Sequence, residues 1–217
     1  MRSLSRNLGS GLGRPAAVRR TARPQPPPAH PADHPAPPPP PPSPSPSPPA
    51  TILWDLDNVR PPAGADPASL LRAVADARAG GPPSLPASSI TLFANTATAA
   101  ALPPGWDPPP PGAALVTLTA TPGAVDQAIT AAAVAFVTSA TATASTFPPP
   151  SLTIISSDAA AFASLLRWAR ARGAHTRAIG TFAGGRPGRP DAWRSRPLPA
   201  AADEAVQWGE VVGRLEA

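Results

Sequence analysis

From residue 51 onward, short apolar runs alternate with longer stretches of helical period. TILWDL (51–56), SSITLFAN (88–95), AALVTLTA (113–120), SLTIISS (151–157) and HTRAIG (175–180) are brief, bulky runs, and each reads as a strand. Between the first two, Leu70, Leu71, Val74 and Ala77 recur at helical spacing, and Gly80-Gly81 supplies a stop. Val125, Ile129, Ala132, Ala133 and Phe136 line one side of a second helix over 122–138. AAAFASLLRWARARG makes a third that stops at Gly173. The segments near 103–112 and over 184–200, rich in Pro and Gly, read as flexible loops, and AADEAVQWGEVVGRL (201–215) as a last amphipathic piece.

The strand runs are continuous rather than alternating polar and apolar. Such strands are buried on both faces, as in a mostly parallel sheet with helices above and below. The expectation is an α/β fold, three-layer and Rossmann-like, over residues 51–217, a length suited to one domain and one core. Sheets of this kind bind ligands beyond the carboxyl ends of their strands.

Composition removes the first 50 residues from that domain. They hold 17 of the 37 prolines and almost no large apolar side chains, so burial cannot offset the entropy of ordering them. PPPPPP and PSPSPSPP read as extended polyproline II or disorder, and as a ligand for a PxxP-reading protein partner. The net charge of +5 also belongs here: Arg2, Arg6, Arg14, Arg19, Arg20 and Arg23 against Asp33 give +5, and the remainder has 12 Arg against 12 acids. The basic, serine-containing, acid-poor leader matches an organelle transit peptide, mitochondrial or plastid, and no membrane-spanning segment is read. With no cysteine, disulfides and thiolate metal sites are excluded.

The candidate chemistry lies in the acids. Asp55 and Asp57 end the first strand run, two apart, and in extended chain point to the same side. Asp126 falls in the first turns of the second helix, and Asp158 follows LTIISS directly. A parallel sheet brings these positions to one edge, where carboxylates repel unless a cation sits between them. Oxygen donors without Cys or nearby His favour Mg²⁺ or Mn²⁺. Each acid also has a purely structural reading: Asp158 as a helix cap, Asp126 as a first-turn charge, Asp57-Asn58 as a turn pair. Asp55, between Trp54 and Leu56, is harder to explain that way, because a buried carboxylate needs partners. Trp168 and Trp208 read as packing residues, and Arg167, Arg170 and Arg172 as the densest basic group of the domain.

WDLDN (54–58), VDQAI (125–129) and TIISSDAAAFASLLRWARARGAHTRAIG (153–180), in this order, resemble the NYN domain family of PIN-like, metal-dependent ribonucleases. ADEAVQWGEVV (202–212) is similar to the end of plant and algal members that carry organelle leaders. The resemblance implies a PIN-like parallel α/β fold, with Asp55, Asp126 and Asp158 holding Mg²⁺ or Mn²⁺ and Asn58 orienting a metal-bound water or ligand. It also implies a second aspartate after the fourth strand, where this chain has Ala160, and the phenylalanine is displaced to Phe162. Asp57 and Asp203 are the acids available to compensate.

The function expected is a metal-dependent endoribonuclease acting on organellar RNA, in processing or in control of gene expression. The alternative is an RNA-binding or regulatory protein with a degenerate site. RNA is the partner in both, and a homo-oligomer is left open. The family also touches peroxisomal proteins, but RLEA is no peroxisomal signal.

Overall fold

The computed structural model describes residues 49–77, 90–143, 149–182 and 196–215, all within a compact unit spanning Ser45–Ala217. The proline-rich tail, Gly80-Gly81 and residues 183–195 of the expected second loop lie outside the described residues.

Six strands, β1 (Ala50–Asp55), β2 (Ile90–Asn95), β3 (Ala113–Leu118), β4 (Ser151–Ile155), β5 (His175–Gly180) and β6 (Glu204–Gln207), form one sheet. Its order is β3-β2-β1-β4-β5-β6, with every neighbouring pair parallel. The helices are α1 (Pro67–Asp76), α2 (Thr96–Ala100), α3 (Ala124–Thr143), α4 (Ala159–Ala171), α5 (Pro197–Ala201) and α6 (Trp208–Gly213). The architecture is a mixed α/β fold of generic Rossmann-like arrangement, and the strand order reverses between β1 and β4.

The central strands are buried on both faces, as their unbroken apolar runs require. Register sets Leu53 beside Ile154 on one face and Trp54 beside Ile155 on the other. On the first face, Val125, Ile129, Ala133 and Val137 of α3 and Phe162, Leu166 and Ala169 of α4 close the core. On the second, Leu70, Leu71 and Val74 of α1 and Val211 of α6 pack around Trp54. Trp54 meets Trp106 edge-on at 5.6 Å and Trp208 at 5.1 Å, and its indole N–H donates to the Val59 carbonyl at 2.7 Å. Trp106, fully buried, thus pins the proline-rich loop expected near 103–112. By length and apolarity, residues Ala124–Ala142 of α3 pass the test for a membrane span. The chain uses that apolarity to seat one side of α3 on the sheet.

Four local features depart from the sequence pattern. α3 runs on past residue 138, its Ser139 and Thr141 hydroxyls satisfied by donating back to the carbonyls of Phe136 (3.0 Å) and Val137 (2.7 Å). α2 is a five-residue helix, too short for a period, capped by Asn95, whose Oδ1 accepts from Thr98 N–H at 2.8 Å. α5 replaces the end of the expected 184–200 loop, opening at Pro197 and burying Leu198 and Ala201. The final amphipathic piece divides into β6 and α6, with Val206 the buried residue of a four-residue strand.

Ion pairs hold that edge strand. The fully buried Arg177 pairs with Glu204, Arg170 Nε reaches Asp203 at 2.8 Å, and Thr176 donates its N–H and hydroxyl to Asp203, both at 2.9 Å. Burial pushes both carboxyls up, but the bonds from Thr176 and Arg177, with the charges of Arg170 and Arg177 and the nearby His175, outweigh it and hold both below their ordinary values. Depressed carboxyls contribute stability above their unfolded pKa, at about 4, and lose it as pH falls through the folded values. Thermal unfolding from pH 6 downward should therefore show Tm falling below about pH 4, and falling less in Asp203→Asn than in the wild type. An identical slope in the two proteins would show that this clasp does not contribute.

Candidate functional site

β1 ends where strand order reverses, and Asp55 is its last residue. Strand alternation puts Asp55 on the face of Leu53, the side covered by α3. Its carboxylate is fully buried and accepts four hydrogen bonds. Oδ1 takes the N–H groups of Asp57 (3.1 Å) and Asn58 (3.2 Å). Oδ2 takes the Asn58 side-chain amide (2.6 Å) and the Ser156 hydroxyl (2.9 Å). Ser156, itself fully buried, follows β4, so this last bond crosses the reversal point and ties the two carboxyl ends together. Burial raises the Asp55 pKa and the neighbouring Asp57 charge adds to it, opposed by the bonds from Asn58 and Ser156.

Asp57 does not share the side of Asp55, contrary to the extended-chain expectation. The chain turns at once, with Val59 N–H bonded to the Asp55 carbonyl at 3.0 Å. Asp57 instead faces the end of β2, where Asn95 donates its N–H to Oδ1 (3.2 Å) and its side-chain amide to Oδ2 (2.9 Å). Asn58, expected beside a metal-bound water, has its side-chain amide on Asp55.

Asp158 caps α4, as its structural reading held: Oδ1 accepts from the N–H groups of Ala160 (2.8 Å) and Ala161 (3.0 Å). Its own N–H donates to Ser156 Oγ at 3.1 Å, so one serine touches both acids. Asp126 lies in the first turn of α3. Its pKa is raised, first by burial and then by the charges of Asp55, Asp158 and Asp57. No arginine or histidine among the described residues is paired with any of them. Asp203 cannot stand in for an acid at Ala160, because it lies before β6, bonded to Thr176 at the opposite edge of the sheet.

The structure thus brings Asp55, Asn58 and Asp158 into one bonded network, with Asp126 coupled to it by charge. Two members escaped the sequence reading as site residues, Ser156 and Asn95. Both are polar residues ending apolar runs, which is the one signal that marks them. Gly180 adds a constraint: a Cβ there would overlap the Ser156 carbonyl oxygen and crowd the Phe182 ring, so β5 approaches the serine more closely than a side chain allows.

The donor set suits a hard divalent cation, being all oxygen, negative and unpaired with any base. Asp55 has its lone pairs occupied, whereas Asp158 Oδ2 and the Asp126 carboxylate accept no hydrogen bond among the described residues. As placed, no three His, Cys, Asp or Glu side chains among those residues form a metal-holding group. No protein-family model matches this chain, and no curated protein matches it in sequence.

Proposed function

We propose that this domain is a PIN-like, NYN-type endoribonuclease that uses Mg²⁺ or Mn²⁺. The observation that carries the reading is that Asp55 and Asp158, joined through Ser156, stand where the strand order reverses, with Asp126 opening α3 and no base paired with them among the described residues. Asp126 and Asp158 would hold the ion with Asp55 behind them. Such an ion, when bound, polarises a phosphodiester and lowers the pKa of water. The chain's own residues set the stage for it. Asn58 and Ser156 fix the rotation of the Asp55 carboxylate, and Ser156 relays that position to Asp158. Asp126, half-buried at the start of α3, would present its carboxylate to the ion from the helix side.

The acid-poor, arginine-rich leader supports organellar RNA as the substrate, in a plastid or mitochondrion. The test is cleavage of mixed single- and double-stranded RNA by the purified chain with Mn²⁺, with Mg²⁺ and with chelator, beside Asp55→Asn as control for contaminating nuclease. Cleavage that needs metal and is lost in the variant supports the reading.

A second reading, RNA binding without turnover, is favoured by the occupied lone pairs of Asp55 and by Ala160 where the resembled family has an acid. Salt-sensitive RNA binding by a folded chain that cleaves under neither metal would decide for it.

A further inference from the structure

A basic cavity lies at the sheet edge opposite the acids. It has a volume of about 520 Å³, and its walls include Pro149, Arg167, Arg170, Gly173, His175 and Asp203. Pro149 precedes β4 and Asp158 follows it, so the strand separates the two places by about 17 Å.

The charges in this cavity are unequally engaged. Asp203 Oδ1 is taken by Arg170 and Oδ2 by Thr176, so its negative charge is already matched. Arg167 is exposed and has no carboxylate partner among the described residues, its one bond being Nη2 to Ser164 Oγ at 3.1 Å. Arg172, beside the lining residue Gly173, lies over the Trp168 ring at 4.2 Å, likewise without an acid. A helix C-terminus ordinarily repels anions, but here two of the last carbonyls of α4, those of Ala169 and Arg170, are covered. The N–H groups of Arg172 and Ala174 reach Ala169 O, at 3.0 and 3.1 Å, and that of Gly173 reaches Arg170 O at 2.9 Å. What remains in the lining is the Arg167 guanidinium, without an acid partner among the described residues, whose fork geometry suits phosphate oxygens.

The geometry points to a phosphate-binding site in this cavity, centred on Arg167 and independent of the carboxylate site. The phosphate can belong to a small ligand or to an RNA backbone, and the same titration separates the two. In ¹H–¹⁵N spectra of the full chain, inorganic phosphate should shift the amides of Gly173, Ala174 and His175 saturably, beyond any change in sodium chloride of equal ionic strength. Arg167→Gln should weaken this about tenfold, the loss of one charge-assisted contact, Arg167→Lys less, and Asp126→Asn not at all. Hexauridylate that moves the same amides at lower concentration than phosphate identifies an RNA backbone. Hexauridylate that leaves them unmoved identifies a small phosphorylated ligand. Shifts that match chloride, or that survive Arg167→Gln unchanged, overturn the proposal. The local readout also keeps this site apart from the arginines of the leader.

Discussion

Asp126→Asn should abolish metal-dependent RNA cleavage, by on the order of 100-fold or more, while leaving the protein at least as stable as before. The two halves of that result have one cause. Asp126 accepts no hydrogen bond among the described residues, so the asparagine leaves no donor stranded. Burial and the charges of Asp55, Asp158 and Asp57 raise its pKa, which means the folded chain holds this proton more firmly than the unfolded chain does. A raised carboxyl favours folding below its unfolded pKa, and that contribution is lost as pH rises through the folded value. The variant escapes this loss, so its Tm should match the wild type near pH 3 and meet or exceed it at pH 7. Thermal unfolding at both pH values beside RNA cleavage in Mn²⁺ tests both halves. Undiminished cleavage would remove Asp126 from the reaction, and a lower Tm at pH 7 would show that the acids do not repel.

Asp55→Ala should behave in the opposite way, lowering unfolding free energy by about 2–4 kcal/mol. Its pKa is raised as well, yet four donors are built around it, and of these the Ser156 hydroxyl is fully buried. Removing the carboxylate strands that hydroxyl and breaks the side-chain tie between the carboxyl ends of β1 and β4. Asp55→Asn keeps one acceptor oxygen but sets an amide N–H against a donor, so about half of the loss should persist. Urea unfolding of both variants is the measurement. A change under about 0.5 kcal/mol in Asp55→Ala would mean the network does not join the strands.

How far the fold could be read from sequence depends on where each element draws its stability. β1, β4 and β5 are legible because both faces are buried, and continuous runs such as LTII have few other uses. β6 and α5 are not, since four or five residues carry no period; β6 is held by bonds to distant partners, Arg177 to Glu204 and Asp203 to Thr176, and α5 by burial of Leu198 and Ala201. The site divides in the same way. Asp55 and Asp158 stand out as carboxylates that end apolar runs. That Ser156 bonds Asp55 across 101 residues, or that Asn95 draws Asp57 aside across 38, is decided by the strand order, which local pattern does not contain. Asp57 departs from the expected side for that reason: alternation predicts its side only while the strand continues, and the strand stops at Asp55.

Gly180 has no functional group, yet it decides how closely β5 approaches Ser156. Its missing side chain lets the end of β5 close against Ser156, and Ser156 in turn meets both Asp55 and Asp158. The seat of the serine that two carboxylates share is thereby fixed from a third strand, like a shim whose thickness is zero. A side chain at residue 180 would push against Ser156 while every acid kept its identity, so the tolerance of this network is written one strand away from its carboxylates.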